Sequence, residues 1–161
     1  MHVSIRIQED DFSIADEYLA LRARMRGKVG AIATFVGLVR DQHANGDVSN
    51  SDVKGLTIEH YPGMTEQSIV TIVEAAAKRW PLDDVVIVHR VGELAALEQI
   101  VFVQVASGHR AAAFAACEFL MDYLKTDAVL WKREGTRWLE ATSEDKDRAR
   151  AWETPDPAKK L

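Results

Sequence analysis

Apolar and polar residues alternate through residues 3–8, VSIRIQ, and predict an opening strand. The period then lengthens. Between residues 13 and 25, Ile14, Tyr18, Leu19 and Leu21 or Met25 fall near helical spacing and predict a helix with these residues inward. Residues 28–41, KVGAIATFVGLVRD, are rich in small and β-branched types and predict a long strand ending near Arg40. Residues 41–54, DQHANGDVSNSDVK, have almost no apolar content and carry Asn-Gly and Ser-Asn turn signals. A loop that long inside a compact domain is expected to be a functional lid or a mobile segment.

LTIEHY restores strand character, and YPGMTEQ turns the chain into a helix whose Ile69, Ile72, Val73 and Ala76 share one face, with Pro81 beyond its end. DVVIVHRV and QIVFVQVA predict two strong strands that flank the connection GELAALE. Ser107 or Gly108 suits the cap of a third helix over 109–124, with Phe114, Cys117, Met121 and Leu124 toward a sheet. AVLWKRE-G-TRWLE predicts a closing hairpin. Strands and helices mix without strict βαβ alternation, so the fold class is α+β with a mainly antiparallel sheet and about three helices. The pattern shows neither repeat nor linker. A single catalytic domain over 1–140 is expected, followed by a charged, proline-bearing C-terminal tail over 141–161, helical at its start.

Composition narrows the function classes. The chain has 161 residues, 47% hydrophobic and 28% charged, with net charge -5, the composition of one ordinary globular domain. A pI near 5.5 argues against a general nucleic-acid binder and leaves room for a local basic pocket. The N-terminus lacks the basic start and apolar stretch of a secretory signal, and no apolar run approaches the ~20 residues of a membrane span. A soluble, cytoplasmic protein is expected. The histidines at 2, 43, 60, 89 and 109 form no metal-binding spacing. Nucleotide glycine fingerprints and a G-x-S-x-G elbow are lacking too, so neither metal nor cofactor is expected. The one cysteine, Cys117, shares a helix face with apolar residues and reads as a small core residue rather than a nucleophile.

The cations are the remaining candidates. His109 and Arg110 fall at a helix N-terminus, where free N–H groups and the dipole attract anions and disfavour cations by about 0.3–1 kcal/mol. They are either exposed surface charges or ligands of a phosphate or carboxylate. Lys125 falls at the other end of that helix, where a cation is welcome for electrostatic reasons alone. On the following strand Lys132 and Glu134 share a face with Leu130, while Trp131 and Arg133 take the opposite face. Partial desolvation there would lower the Lys132 pKa and prepare an amine for acid–base work. Arg40 is either a snorkelling strand-end arginine or a pocket-rim phosphate ligand.

FVGLVRD, HRVGEL, SGHR and MDYLKTDAVLWKRE, in this order, closely resemble the large, catalytic subunit of molybdopterin synthase, the MoaE family. The likeness runs from about residue 3 to about residue 140. It implies an α/β-hammerhead type fold and a homodimer in which each chain binds a small ubiquitin-like sulfur-carrier protein, a heterotetramer in all. The implied reaction moves sulfur from the carrier's C-terminal Gly-Gly thiocarboxylate onto cyclic pyranopterin monophosphate, giving the dithiolene of molybdopterin. The family's basic pocket maps onto Arg40, His109, Arg110, Lys125 and Lys132, with Arg133 and Glu134 beside them and Leu38 and Val39 on the substrate-lining strand end. Lys125 is implied as the principal catalytic lysine, with Lys132 assisting. Many members have Gly where this chain has Leu97. Leu does not easily adopt a positive φ, so a different turn is expected there.

Two other classes fit the same residues. One is a non-catalytic anion-binding or regulatory module using the basic pocket. The other is a lysine-dependent Schiff-base enzyme acting on small carbonyl compounds.

Overall fold

The computed structural model of the protein describes residues 1–25, 27–40 and 55–153. The polar stretch expected to form a lid, 41–54, lies outside the described residues. Among the described residues the order is β1 (His2–Gln8), α1 (Ile14–Arg24), β2 (Ala31–Leu38), β3 (Gly55–His60), α2 (Met64–Arg79) and β4 (Asp84–Arg90). It continues with β5 (Gly92–Ala95), β6 (Gln99–Ser107), α3 (Arg110–Thr126), β7 (Leu130–Glu134), β8 (Arg137–Leu139) and α4 (Ser143–Ala151).

The strands make two four-stranded sheets, ordered β1-β4-β6-β2 and β5-β3-β7-β8. Only β1 and β4 run parallel; the other pairings are antiparallel. This is the expected α+β architecture, of hammerhead type, with four helices rather than about three. The first sheet is covered on both faces, which is why β4 and β6 read as unbroken apolar runs instead of alternating ones. Val85, Ile87, Val101, Val103 and Val105 meet the inner faces of α2 and α3. Val86, Val88, Phe102 and Ala106 pack with Phe12 and Leu21 on the α1 side. Ile69, Ile72, Val73 and Ala76 form the buried stripe of α2, as their spacing predicts.

Two helix faces differ from expectation. Ile14, Tyr18 and Leu19 of α1 are exposed, and Leu21 alone is buried. Phe114 of α3, expected against the sheet, is 67% exposed. The inward face of α3 consists of Ala112, Ala113, Ala116, Cys117, Phe119, Leu120 and Leu124. Phe114 follows Ala113 by about 100° of helical turn, outside the arc of Ala113, Ala116, Cys117, Leu120 and Leu124, and so faces outward.

The charged segment after residue 140 begins with a helix, as expected, and residues 154–161 lie outside the described residues. Thr142 caps α4, with Thr142 Oγ1 accepting from Asp145 N at 3.1 Å, and Trp152 joins the main core cluster. A tryptophan at one end and a capping box at the other hold this polar helix on α3.

β5 occupies GELA, expected to be a connection; it is a four-residue edge strand on β3. The turn after it contains Leu97 at φ 69. Leu97 therefore adopts the left-handed conformation expected of glycine, at a cost of about 1–2 kcal/mol. Backbone bonds hold it there: Leu97 N donates to Val39 O at 2.8 Å, and Val39 N donates to Glu98 O at 2.9 Å.

Candidate active site

The cleft between the two sheets and α4 encloses about 770 Å³. Its first wall is the end of β2. The β2–β6 register shifts between Gly37 and Leu38, and a Cβ at Gly37 would stand 2.7 Å from Val101 Cγ1. The bulge turns the chain out of the first sheet, so Val39 packs into the core of the second one with Ile58, Val91 and Leu94. Half-exposed Leu38, buried Val39 and exposed Arg40 all border the cleft.

The second wall is β7. Thr65, fully buried in the first turn of α2, donates from Oγ1 to Val129 O at 2.7 Å, and Val129 N donates to Ser68 Oγ at 3.1 Å. These bonds anchor the entrance of β7, whose Lys132 lies opposite Ile58 of β3 and Leu139 of β8. Strand alternation sends Lys132 and Glu134 into the cleft. Arg133 goes to the other face, its guanidinium 5.6 Å from the Trp138 ring centroid. Arg133, expected beside the pocket, therefore does not line this cleft: the period of two that admits Lys132 excludes its neighbour.

The third wall comes from α3 and α4. Lys125, in the last turn of α3, reaches across to Asp145, with Nζ 3.0 Å from Oδ1. Thr142, Glu144, Asp145 and Arg148 of the α4 segment complete this side. Sequence reasoning named none of the four. The signal was present in T-S-E-D, a Thr followed three residues later by an acid, which marks a helix start.

His109 and Arg110 do not join this cleft. Both are exposed at the N-terminus of α3, and the fifteen residue steps from Arg110 to Lys125 span about 22 Å of helix. Of the five basic residues expected in the pocket, Arg40, Lys125 and Lys132 line this cleft and His109 and Arg110 do not. A straight helix cannot bring its two ends together.

The electrostatics of the cleft distinguish its two lysines. Lys132 is half-buried, and burial lowers its pKa, with the Lys125 charge adding to that effect and Asp145 opposing it. Lys125 is about half exposed. His89, on the cleft floor and missed as a candidate, is pushed down to about 4 by burial and then by the Lys132 charge, against the effect of its bond to the Arg90 carbonyl. His89 Nδ1 lies 2.8 Å from Arg90 O. A carbonyl only accepts, so Nδ1 carries the proton and Nε2 holds a free lone pair. Cys117 is buried, and burial followed by the Glu118 charge pushes its thiol up to about 11. It is a core residue, as its helix face predicts.

Among the described residues, four cations (Arg40, Lys125, Lys132, Arg148) and three carboxylates (Glu134, Glu144, Asp145) line the cleft. Such a set can bind an anion, hold a cation against developing negative charge, and exchange a proton at Lys132. Among the described residues, no helix is long and apolar enough to cross a membrane.

Comparison with known proteins gives a consistent result. The family described as MoaE protein matches residues 7–127. The molybdopterin synthase catalytic subunit of Ralstonia nicotianae is 49% identical over 153 residues, covering 92% of this chain and 84% of that one. The solved structure of molybdopterin cofactor biosynthesis protein E from Burkholderia multivorans superposes with a TM-score of 0.80 at 47% identity, covering 97% of this chain and all of that one. A protein–protein complex of subunits 1 and 2 of the molybdopterin-converting factor from Helicobacter pylori matches with a TM-score of 0.66. At 17% identity that likeness concerns the fold alone.

Proposed function

The chain belongs to the MoaE family, and from that premise we propose that it is the large subunit of a molybdopterin synthase. In this reading it takes sulfur from the C-terminal thiocarboxylate of a small ubiquitin-like carrier and delivers it to cyclic pyranopterin monophosphate. The observation that carries the reading is the convergence of Arg40, Lys125 and Lys132 on one cleft, from three elements distant in sequence. Arg40 binds the phosphate as a planar, permanently charged donor. Lys125 stabilises the thiocarboxylate and the negative charge that develops as its acyl–sulfur bond breaks. Lys132, its ammonium destabilised by burial, orients the pterin and moves protons. Leu38, Val39 and Glu134 shape the wall between these groups. Cys117 takes no part, since sulfur arrives on the carrier.

Two anionic partners must enter a cleft in which, among the described residues, the lining cations exceed the carboxylates by only one. This favours a homodimer in which a second copy of the chain supplies His109 and Arg110, the exposed cations at the far end of α3. With one carrier bound per chain, the assembly is a heterotetramer acting in the cytoplasm.

The test mixes the full chain with thiocarboxylated carrier and cyclic pyranopterin monophosphate, then assays for the dithiolene product. Conversion is expected. Binding of both partners without conversion would instead identify an anion-binding module.

A further inference from the structure

Lys125 does not stand alone at the cleft wall. Its partner Asp145 is itself fixed: Oδ2 accepts from Thr142 N at 3.1 Å and from Thr142 Oγ1 at 2.8 Å. The helix that carries Asp145 is tied back to the helix that carries Lys125. Arg148 donates from Nε to Asp122 Oδ1 at 3.0 Å and from Nη2 to Glu118 Oε1 at 2.9 Å. Trp152 Nε1 donates to the other oxygen of buried Asp122 at 2.8 Å, and its ring packs edge-on against Phe119 and Trp80. The result is a closed loop of contacts running from Lys125 through Asp145, along α4, and back into α3.

Exposed lysine–carboxylate pairs ordinarily contribute little, because two mobile side chains must be ordered at once. Here the capping box already orders the carboxylate, so only the lysine loses freedom. We propose that Asp145 is a positioning residue for Lys125, its capped carboxylate holding the Lys125 ammonium at the cleft wall. The inference rests on the proposed role of Lys125 and adds to it a residue from the polar C-terminal helix. Hydrogen bonds from Thr142 and Lys125 outweigh the effect of burial and hold the Asp145 carboxyl below its ordinary range, consistent with a permanent anion at this point. Asp145 also works against the lowering of the Lys132 pKa, so its charge reaches both lysines.

The test compares the complete wild-type chain with Asp145→Asn and Trp152→Phe. Asn keeps the size of the capping side chain and removes its charge. Phe removes one anchor of α4 and leaves the charge in place. Trace labelling with acetic anhydride, read by mass spectrometry with Lys78 as internal reference, reports the reactivity of Lys125 without any assumption about function. Asp145→Asn is expected to raise Lys125 labelling by about twofold to fivefold, the scale of a lost ion pair. In the conversion assay the same variant should lose kcat by about tenfold or more with little change in KM for the pterin. Trp152→Phe should lower Tm and leave both readouts within about twofold. Wild-type labelling and kcat in Asp145→Asn would overturn the proposal. So would a Trp152→Phe variant that reproduces both changes, since placement of α4 would then explain them without the charge. If the wild-type chain converts nothing, the functional reading fails by itself, and labelling still decides whether Asp145 controls Lys125.

Discussion

The two ends of α3 both carry cations, and the fold treats them in opposite ways. Lys125 sits where the helix dipole is negative, faces a fixed carboxylate 3.0 Å away, and borders the cleft. His109 and Arg110 sit where the dipole is positive, exposed, with no side-chain cap on the helix. One end is electrostatically settled within the chain. Among the described residues, no hydrogen bond or ion pair offsets the Arg110 charge that the other end disfavours. Physical cost without local compensation is what separates a candidate contact to a second molecule from an ordinary surface lysine.

The sharpest test of this contrast is activity. Lys125→Ala is expected to lower product formation by at least ~100-fold, the usual range for a lost acid–base or charge-stabilising group. Arg110→Ala should fall by a smaller factor, about tenfold or more. If the two ends serve different cleft copies in a dimer, mixing the two impaired variants should raise activity above the mean of the two alone, because one cleft per mixed dimer is intact. Activity no higher than that mean, with dimers verified by mass, would place the two ends in independent roles.

Next in size is a pH effect at the cleft end. In the unfolded chain His89 takes up its proton near its ordinary value of 6.5, whereas in the folded chain it does so only near 4. The folded state binds fewer protons between these values, so this contribution to stability is complete above pH 6.5 and is lost as pH falls toward 4. The loss amounts to about 3 kcal/mol. Urea midpoints of wild type and His89→Gln across pH 4–7 should converge at the acid end; parallel curves would mean that His89 titrates normally in the fold.

Cys117 lies midway along α3 and belongs to neither end. Cys117→Ala should cost about 1 kcal/mol in stability and leave conversion unchanged. Loss of turnover in a folded Cys117→Ala protein would move the chemistry to the middle of the helix. The smallest effect concerns Leu97, whose turn is bonded to Val39 beside Arg40. Leu97→Gly relieves the positive φ but adds freedom to the unfolded chain, for a net gain of about 0.5 kcal/mol, visible as a slight rise in Tm.

Much of this arrangement was legible from residues alone. The α2 stripe, the two central strands, the closing hairpin and the Lys132/Glu134 face each follow from a local period. Phe114 shows where that logic stops. Hydrophobicity places a phenylalanine inward, yet the buried stripe of α3 runs through Ala113, Ala116, Cys117, Leu120 and Leu124 and leaves Phe114 off it. β5 was missed because a four-residue edge strand has almost no period of its own and exists by pairing with β3, distant in sequence. His89 was readable in hindsight: it shares parity with Val85 and Ile87, the side of β4 that faces the helices. The helix at the start of the charged tail was expected, but its docking was not, because its composition is that of a solvated segment while one tryptophan and one capping box hold it.

By itself the sequence determined most of the strands and helices, the helix length that separates His109 and Arg110 from Lys125, which residue types could bind an anion, and that the single thiol is a core group, because these depend on neighbours a few positions away. Only the tertiary structure decided that β5 pairs with β3, that Lys125, Lys132 and Arg40 share a cleft, and that Asp145 meets Lys125. Those relations depend on how rigid elements pack. A period of two or of 3.6 residues carries no information about which element lies across the gap.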